Sequence, residues 1–190
     1  MGMSAGADWL DDLERVLLSE SDLRRRVKEL AAEIGADYAG KHPLVLGVLT
    51  GAFVFMADLV RALELPLEIA FIRASSYGMR SASSGQVTVT EGLWPDLTGR
   101  HVLLVEDIVD SGYTLAHLRE EVSQRGAASV TACCLLDKAE RREVPVSAEY
   151  LGFTVANEFL VGYGLDYAGR FRHLPYVAVL KAEAYRGEDE

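Results

Sequence analysis

Between residues 21 and 40, SDLRRRVKELAAEIGADYAG places Leu23, Val27, Leu30, Ala31 and Ile34 on one stripe of helical period. Ser21 stands where an N-cap belongs. From residue 43 the period changes. PLVLGVL is apolar throughout, breaks at Thr50–Gly51, and gives way to AFVFMADLVRALEL, a helix pattern. LPLEIAFI predicts a second strand, SSYGMRSASSGQ a polar loop and VTVTE a short β segment. After the PDLTG turn, HVLLVE is again apolar almost to its end. DIVDSGYT then interrupts before the helix LAHLREEVSQRGA, and SVTACCLL, GFTVA, FLVGYGL and YVAVL follow as strand candidates. Runs that stay apolar without alternating suit a parallel sheet covered on both faces. Strand, loop and helix in repeated succession predict βαβ units, hence an α/β fold with a mostly parallel central sheet flanked by helices. No repeat or linker divides the chain, so residues 1–190 read as one domain with a core over about 20–180. The closing YRGEDE reads as a frayed acidic tail.

Composition narrows the function. The 190 residues are 49% hydrophobic and 25% charged, which excludes a disordered chain. Lys and Arg number 19 against 29 Asp and Glu, a net charge of −10. That excess argues against a general nucleic-acid binder, which needs clustered cations to displace phosphate counterions. The run Arg24-Arg25-Arg26 has acids on both sides and reads as a solvated helix face. No stretch approaches the roughly 20 apolar residues of a membrane span, so no membrane partner is expected. The start, MGMSAGADWLDDLE, carries acids where a signal peptide is positive, and Gly2 lacks a myristoylation context. Cys133 and Cys134 are neighbours in a strand and point to opposite faces, too poorly placed to pair with each other. They read as buried hydrophobes in a reducing, cytoplasmic setting.

Ligands of open α/β sheets sit at the carboxyl ends of the strands. There the chain reads HVLLVEDIVDSGYTL, residues 101–115. The apolar run ends in Glu106 and Asp107, Asp110 follows three residues on, and Ser111-Gly112-Tyr113-Thr114 opens a helix. Two carboxylates at the end of a buried strand are costly unless a cation or polar ligand meets them. The small residues, hydroxyls and free backbone N–H groups at the helix start form an anion site. Acids for hydroxyls or Mg²⁺ beside N–H groups for phosphate describe a sugar-phosphate site. The plainer alternative, that Asp110 and Ser111 only cap the helix, leaves Glu106 and Asp107 unexplained. The sequence lacks a P-loop, and Gly162-x-Gly164 lacks the third glycine of a dinucleotide fingerprint.

VLLVEDIVDSGYTL resembles the phosphoribosyl-pyrophosphate-binding motif of type I phosphoribosyltransferases: hydrophobics, two acids, two hydrophobics, then Asp-Ser/Thr-Gly-x-Thr. LTGAFVFMADL is similar to the first active-site loop of hypoxanthine-guanine phosphoribosyltransferases, and SSYGMRSASSGQV, with Ser76 and Tyr77, to their mobile loop. LLDKAERR matches the place of a purine-contacting lysine, and NEFLVGYGLDYAGRFRHLPYV the base-binding segment. The resemblance covers about residues 43–180. It implies the type I phosphoribosyltransferase fold with a small base-binding hood, acting in purine salvage with phosphoribosyl pyrophosphate, a 6-oxopurine base and Mg²⁺.

The same resemblance implies the roles. Glu106 and Asp107 would hold ribose hydroxyls, directly or through Mg²⁺, with Asp166 near a second metal or the 2-substituent of the purine. Backbone N–H groups of Asp110, Ser111, Gly112, Tyr113 and Thr114 would cradle the 5′-phosphate, and Asp110 would act as base or acid at the purine N7. Tyr113 replaces a common lysine, a change of little consequence where the backbone binds. Thr50 and Gly51 would face pyrophosphate, with a Leu49–Thr50 bond that the family tends to have cis; Thr50 stands where relatives often have Lys or Arg. Arg172 would grip pyrophosphate, Lys138 would donate to O6, Phe159 would stack on the purine, and the Leu160 backbone would meet the base edge. Family members are often dimers or tetramers, which implies a homo-oligomer. A nucleotide-sensing, RNA-binding regulator of the same fold is the nearest alternative, and Asp110 and the acidic charge speak against it.

Overall fold

The computed structural model describes residues 9–75, 88–89 and 94–186. A 3₁₀ turn, Trp9–Asp12, leads into β1 (Leu13–Leu18) and α1 (Glu20–Asp37). Then come β2 (Leu44–Leu49), α2 (Phe53–Ala62), β3 (Glu68–Ser75), β4 (Thr88–Val89), β5 (His101–Val109), α3 (Tyr113–Gln124) and β6 (Ser129–Asp137). A second 3₁₀ turn, Ala139–Arg141, precedes β7 (Tyr150–Thr154), β8 (Leu160–Val161), β9 (Val177–Leu180) and α4 (Ala182–Arg186).

The main sheet runs β4-β3-β2-β5-β6-β7, with β3, β2, β5, β6 and β7 parallel and β4 antiparallel at the edge. Strand parity sorts its side chains between two cores. Val45, Leu103, Val105 and Cys133 face α1 and α2, while Leu46, Leu104, Ala132 and Cys134 face Leu115, Leu118 and Val122 of α3. Both cysteines are buried and unpaired, one on each face. The unbroken apolar runs thus mark strands covered on both sides.

All five stripe residues of α1 are buried. Its cap is Ser19 and not Ser21: Ser19 Oγ accepts the Asp22 N–H at 3.2 Å, while the Ser21 hydroxyl reaches only Ser19 Oγ. The arginine run is a paired face, with Arg24 on Glu20 at 2.6 Å, Arg25 on Asp22 at 3.1 Å, and Arg26 on Glu29 and Glu33 at 3.0 Å each. Arg26 also donates to the Leu151 carbonyl of β7 at 2.9 Å.

Three short elements escape the periodicity. β1 pairs antiparallel with β9, which pairs with β8, giving a second, three-stranded sheet. α4 covers that sheet, so Tyr185 and Arg186 belong to a helix and not to a frayed tail. FLVGYGL yields only the two-residue β8 before the chain turns at Gly162 and Gly164, both at positive φ. β5 in turn runs on to Val109, past the acids expected to end it. The polar loop with Ser76 and Tyr77 lies outside the described residues.

Candidate active site

β2 and β5 are parallel neighbours, so both deliver their carboxyl ends to one edge of the sheet. A cavity of about 530 Å³ opens there, lined by Leu49, Gly51, Glu106, Asp107, Ile108, Thr114, Asp166 and Arg172 among others. Residues far apart in sequence meet at this place, four of them charged: Glu106, Asp107, Asp166 and Arg172. Glu106 and Asp107 are adjacent on a strand and leave opposite faces of the sheet. Beyond Val105, where the ladder with β2 stops and only β6 continues beside β5, both border the cavity.

Their environments differ from those of surface acids. Burial, with the Asp107 charge adding to it and Arg142 opposing, pushes the Glu106 carboxyl up to about 8. Burial likewise raises Asp107 to about 6, with the backbone N–H groups of Asp107 and Ile108 and the Arg172 charge acting the other way, and Asp166 adding to the rise. The ligand-free site therefore holds acids short of positive charge. Among the described residues no three His, Cys, Asp or Glu side chains converge as a ready-made metal cage. Glu106, Asp107 and Asp166 thus do not form a closed trio, because the first two diverge across the sheet. Under-compensated carboxylates at an open cleft nevertheless fit Mg²⁺, which favours one or two carboxylates together with water and substrate phosphates over an all-protein cage.

A stability prediction follows from the buried acid. The folded state keeps the Glu106 proton up to about pH 8, whereas the unfolded chain loses it near 4.5. Stability of the ligand-free protein therefore falls as pH rises through that window. Glu106→Gln removes the penalty, so its melting temperature should exceed that of the wild type by about 5 °C at pH 8.5 and by little at pH 5. Thermal scans of both proteins against pH would show parallel curves if the carboxyl were not held protonated.

The loop after β5 opens α3 without any side-chain cap. Its N-cap is Gly112, at φ +92°, and neither Asp110 nor Ser111 caps the helix. This disposes of the plain capping explanation and leaves the helix N-terminus to a ligand. Ser111 is fixed from behind, its carbonyl accepting Glu143 N–H at 2.9 Å. Thr114 lines the cavity and Tyr113 is exposed. Asp110 sits half-buried beside it. Its Oδ1 is hidden from solvent and makes no aligned hydrogen bond, and Arg141 Nε approaches at 2.6 Å as an ion pair. Arg142 holds the other end, with Nη1 on the Asp110 carbonyl at 2.9 Å and Nη2 on Asp137. Neither arginine was expected to matter, since DKAERR reads as an ordinary polar turn.

On the opposite wall the Leu49–Thr50 bond is cis, as the family resemblance anticipated. Gly51 follows, and a Cβ there would overlap the Asp107 carboxylate. Gly164, at φ +105°, packs so closely on the Gly51 carbonyl that a side chain would overlap it as well. The GYG sequence is thus a close-approach device between the β8 loop and the β2–α2 loop. Arg172 braces the same wall, with Nη1 on the Gly164 carbonyl and Nη2 on Asp166 Oδ1, each at 2.6 Å. Asp166 Oδ2 accepts Gly169 N–H at 2.8 Å.

Lys138, Phe159 and Leu160 stand beyond the walls of this cavity. Lys138 is half-buried, and burial lowers its pKa while the charges of Asp110 and Glu158 work against that. Glu158 is held by Arg15 of β1 through Nη2, at 2.6 Å to both carboxylate oxygens. Leu160 is buried in β8 opposite Val179. Phe159 meets the edge of Tyr167 at 5.5 Å and stacks on Tyr185 at 4.8 Å.

Comparison with known proteins agrees with this geometry. Residues 17–168 match the Phosphoribosyl transferase domain family. The hypoxanthine-guanine phosphoribosyltransferase of Streptococcus pneumoniae is 46% identical over 175 residues, 92% of this chain and 97% of that protein. A bifunctional TilS/HprT protein of Listeria innocua is 48% identical over 92% of this chain, which spans only 27% of that longer protein's length. Among solved structures, a hypoxanthine phosphoribosyltransferase of Staphylococcus aureus superposes with a TM-score of 0.88 at 39% identity, covering 92% of this chain and 95% of that one.

Proposed function

The chain belongs to the phosphoribosyl transferase domain family, in its hypoxanthine-guanine branch of purine-salvage enzymes, and from that premise we propose how its residues move a 5-phosphoribosyl group. The donor is phosphoribosyl pyrophosphate and the acceptor hypoxanthine or guanine. What supports the reading above all is the meeting of Glu106, Asp107, Thr114, Gly51, Asp166 and Arg172 around one cleft beside an uncapped helix start.

In this account the bond between ribose C1 and the pyrophosphate oxygen breaks, and pyrophosphate leaves with its electron pair. N9 of the purine supplies the pair for the new bond to C1. The proton this forces from N7 passes to the Asp110 carboxylate. Positive charge grows on the ribose as the leaving group departs, and Asp107, joined by Glu106 once a bound cation has displaced its proton, offsets that charge. Backbone N–H groups from Ser111 to Thr114 hold the 5′-phosphate, and the loop of Thr50 and Gly51 faces pyrophosphate. Asp107, Glu106 and Asp166 would hold Mg²⁺, directly or through water, and the ion would supply positive charge toward the polyanionic leaving group. Arg172 orients Asp166 and adds its own forked donors to the pyrophosphate wall. Lys138 donates to O6, Phe159 stacks on the ring, and the Leu160 backbone reads the base edge.

We place the enzyme in the cytoplasm, where the free buried Cys133 and Cys134 suit a reducing compartment. Among the described residues no helix is long and apolar enough to cross a membrane. We read the chain as one domain that assembles as a homodimer or homotetramer; exposed Phe53, Ile69 and Phe71 offer apolar surface for contact between copies.

A spectrophotometric assay of hypoxanthine, guanine and xanthine with phosphoribosyl pyrophosphate and Mg²⁺ tests the activity, and no reaction with any base would overturn it. A net charge of −10 opposes approach of a polyanionic donor. Excess EDTA should therefore lower turnover by about 10²-fold or more, with recovery on adding Mg²⁺. Vigorous turnover in EDTA would contradict the role given to the acids.

A further inference from the structure

Phe159 enters the preceding account as the ring that stacks on the purine, and the following inference rests on that reading. An aromatic ring offers two faces. In this chain one face of Phe159 is already covered by Tyr185, with ring centroids 4.8 Å apart and planes 25° from parallel. Tyr167 meets the edge of Phe159 at 90°, 5.5 Å away. Phe159 is thus fixed in position and tilt from two sides, by residues of separate elements.

Tyr185 comes from α4, the last described element, which follows β9 directly. Its attachment there is firm: Leu180 N–H donates to the Phe159 carbonyl at 2.8 Å, and Lys181 N–H donates to the Asp12 carbonyl at 2.9 Å. Tyr185 and Ala184 pack against the buried cluster of Val161, Phe171, Leu174, Ala178 and Leu180. The chain therefore brings Tyr185 behind Phe159 from about 25 residues further along, at the second, smaller sheet. Nothing in the proposed chemistry uses this residue.

We propose that Tyr185 is a positioning residue for base binding: it backs Phe159 and holds that ring at the angle a purine must meet, leaving the opposite face to the base. The second sheet with α4 is then a support for the base, while the phosphoribosyl half of the site rests on β2, β5 and α3. A stacked pair confers orientation as well as contact, because the ring quadrupoles favour an offset-stacked arrangement over a face-to-face sandwich.

The test is steady-state kinetics on the full chain with Tyr185→Ala, Tyr185→Leu and Tyr185→Phe. Loss of one stacked pair should raise the KM for hypoxanthine about fivefold in the Ala variant. KM for phosphoribosyl pyrophosphate and kcat should stay within about twofold. Leu keeps apolar bulk without a flat ring, so it should resemble Ala and serves where Ala fails to fold. Phe restores the ring and should return the base KM to the wild-type value. An unchanged base KM in the Leu or Ala variant, an equal rise for both substrates, or a Phe variant no better than Leu would each overturn the proposal. A wild-type protein that turns over no 6-oxopurine would instead overturn the function on which it rests.

Discussion

Replacing Asp110 by Asn should lower kcat by about 10²–10⁴-fold, the range by which a positioned acid or base contributes. The exchange preserves size and shape but removes the proton acceptor. Asp110 follows β5 directly and precedes the Gly112 cap of α3. Its carbonyl is held by Arg142 at 2.9 Å, and Lys138 N–H ties the adjacent Val109 carbonyl at 2.9 Å. With the backbone gripped so closely, Asn should occupy the same place and leave the fold intact. The Asp110 side chain is paired through Oδ1 with Arg141 Nε at 2.6 Å, but both side chains are 40% exposed, so loss of that pair in the Asn variant should cost little stability. KM for phosphoribosyl pyrophosphate should therefore stay within about threefold, because the proposed phosphate contacts are backbone N–H groups and not this carboxylate. A fall in kcat of less than about tenfold, with unchanged thermal stability, would remove Asp110 from the proton transfer.

The same segment shows how far the letters alone carry. HVLLVE declared its strand because burial on both faces leaves no polar position to confuse the period. Its end lies two residues further than the pattern gives: Glu106 and Asp107 read as the close of the strand, yet the backbone stays extended to Val109. Charged side chains ended the apolar pattern without ending the hydrogen-bond ladder, which continues from Ile108 and Val109 to Leu136 and Asp137. The importance of those acids was legible because two charges at a buried strand end demand a ligand.

What stayed hidden depends on distant partners. β1 is an unremarked LERVLL until β9 arrives beside it from the far end of the chain, pairing Leu13 with Leu180. Ser21 stands where the stripe wants a cap, yet the cap is Ser19, because Ser19 has the extended backbone of a cap at φ −72° and ψ 160°, which no spacing shows. Arg172 reads from the sequence as a cation for pyrophosphate, and its bracing of Asp166 and Gly164, which joins two turns of the same segment, has no signal there. Tyr185 gave no signal at all, because a stacking partner has no sequence spacing to betray it.

Gly51→Ala should cost about 10²-fold in kcat/KM although it adds a single methyl group and touches no proposed base. The β2–α2 loop passes so near Asp107 that a Cβ would overlap its carboxylate, and Asp107 has little room to yield. Its backbone is held in β5, whose ladder with β6 runs on through Glu106 and Ile108 on either side of it. The loop cannot retreat easily either, because Gly164 already rests on the Gly51 carbonyl and Arg172 pins Gly164. Something must move by about 1 Å, and a displacement of that order at a reacting site costs about two decades of rate. Overpacking should also lower stability by about 1–3 kcal/mol, so activity must be compared at a temperature where both proteins are folded. Gly35→Ala supplies the control: a Cβ there meets nothing within 4 Å, and the position lies inside α1, where Ala is the better helix former. The control should keep full activity and melt no lower than the wild type. If Gly51→Ala were equally silent, the close packing of this loop on Asp107 would have no part in catalysis.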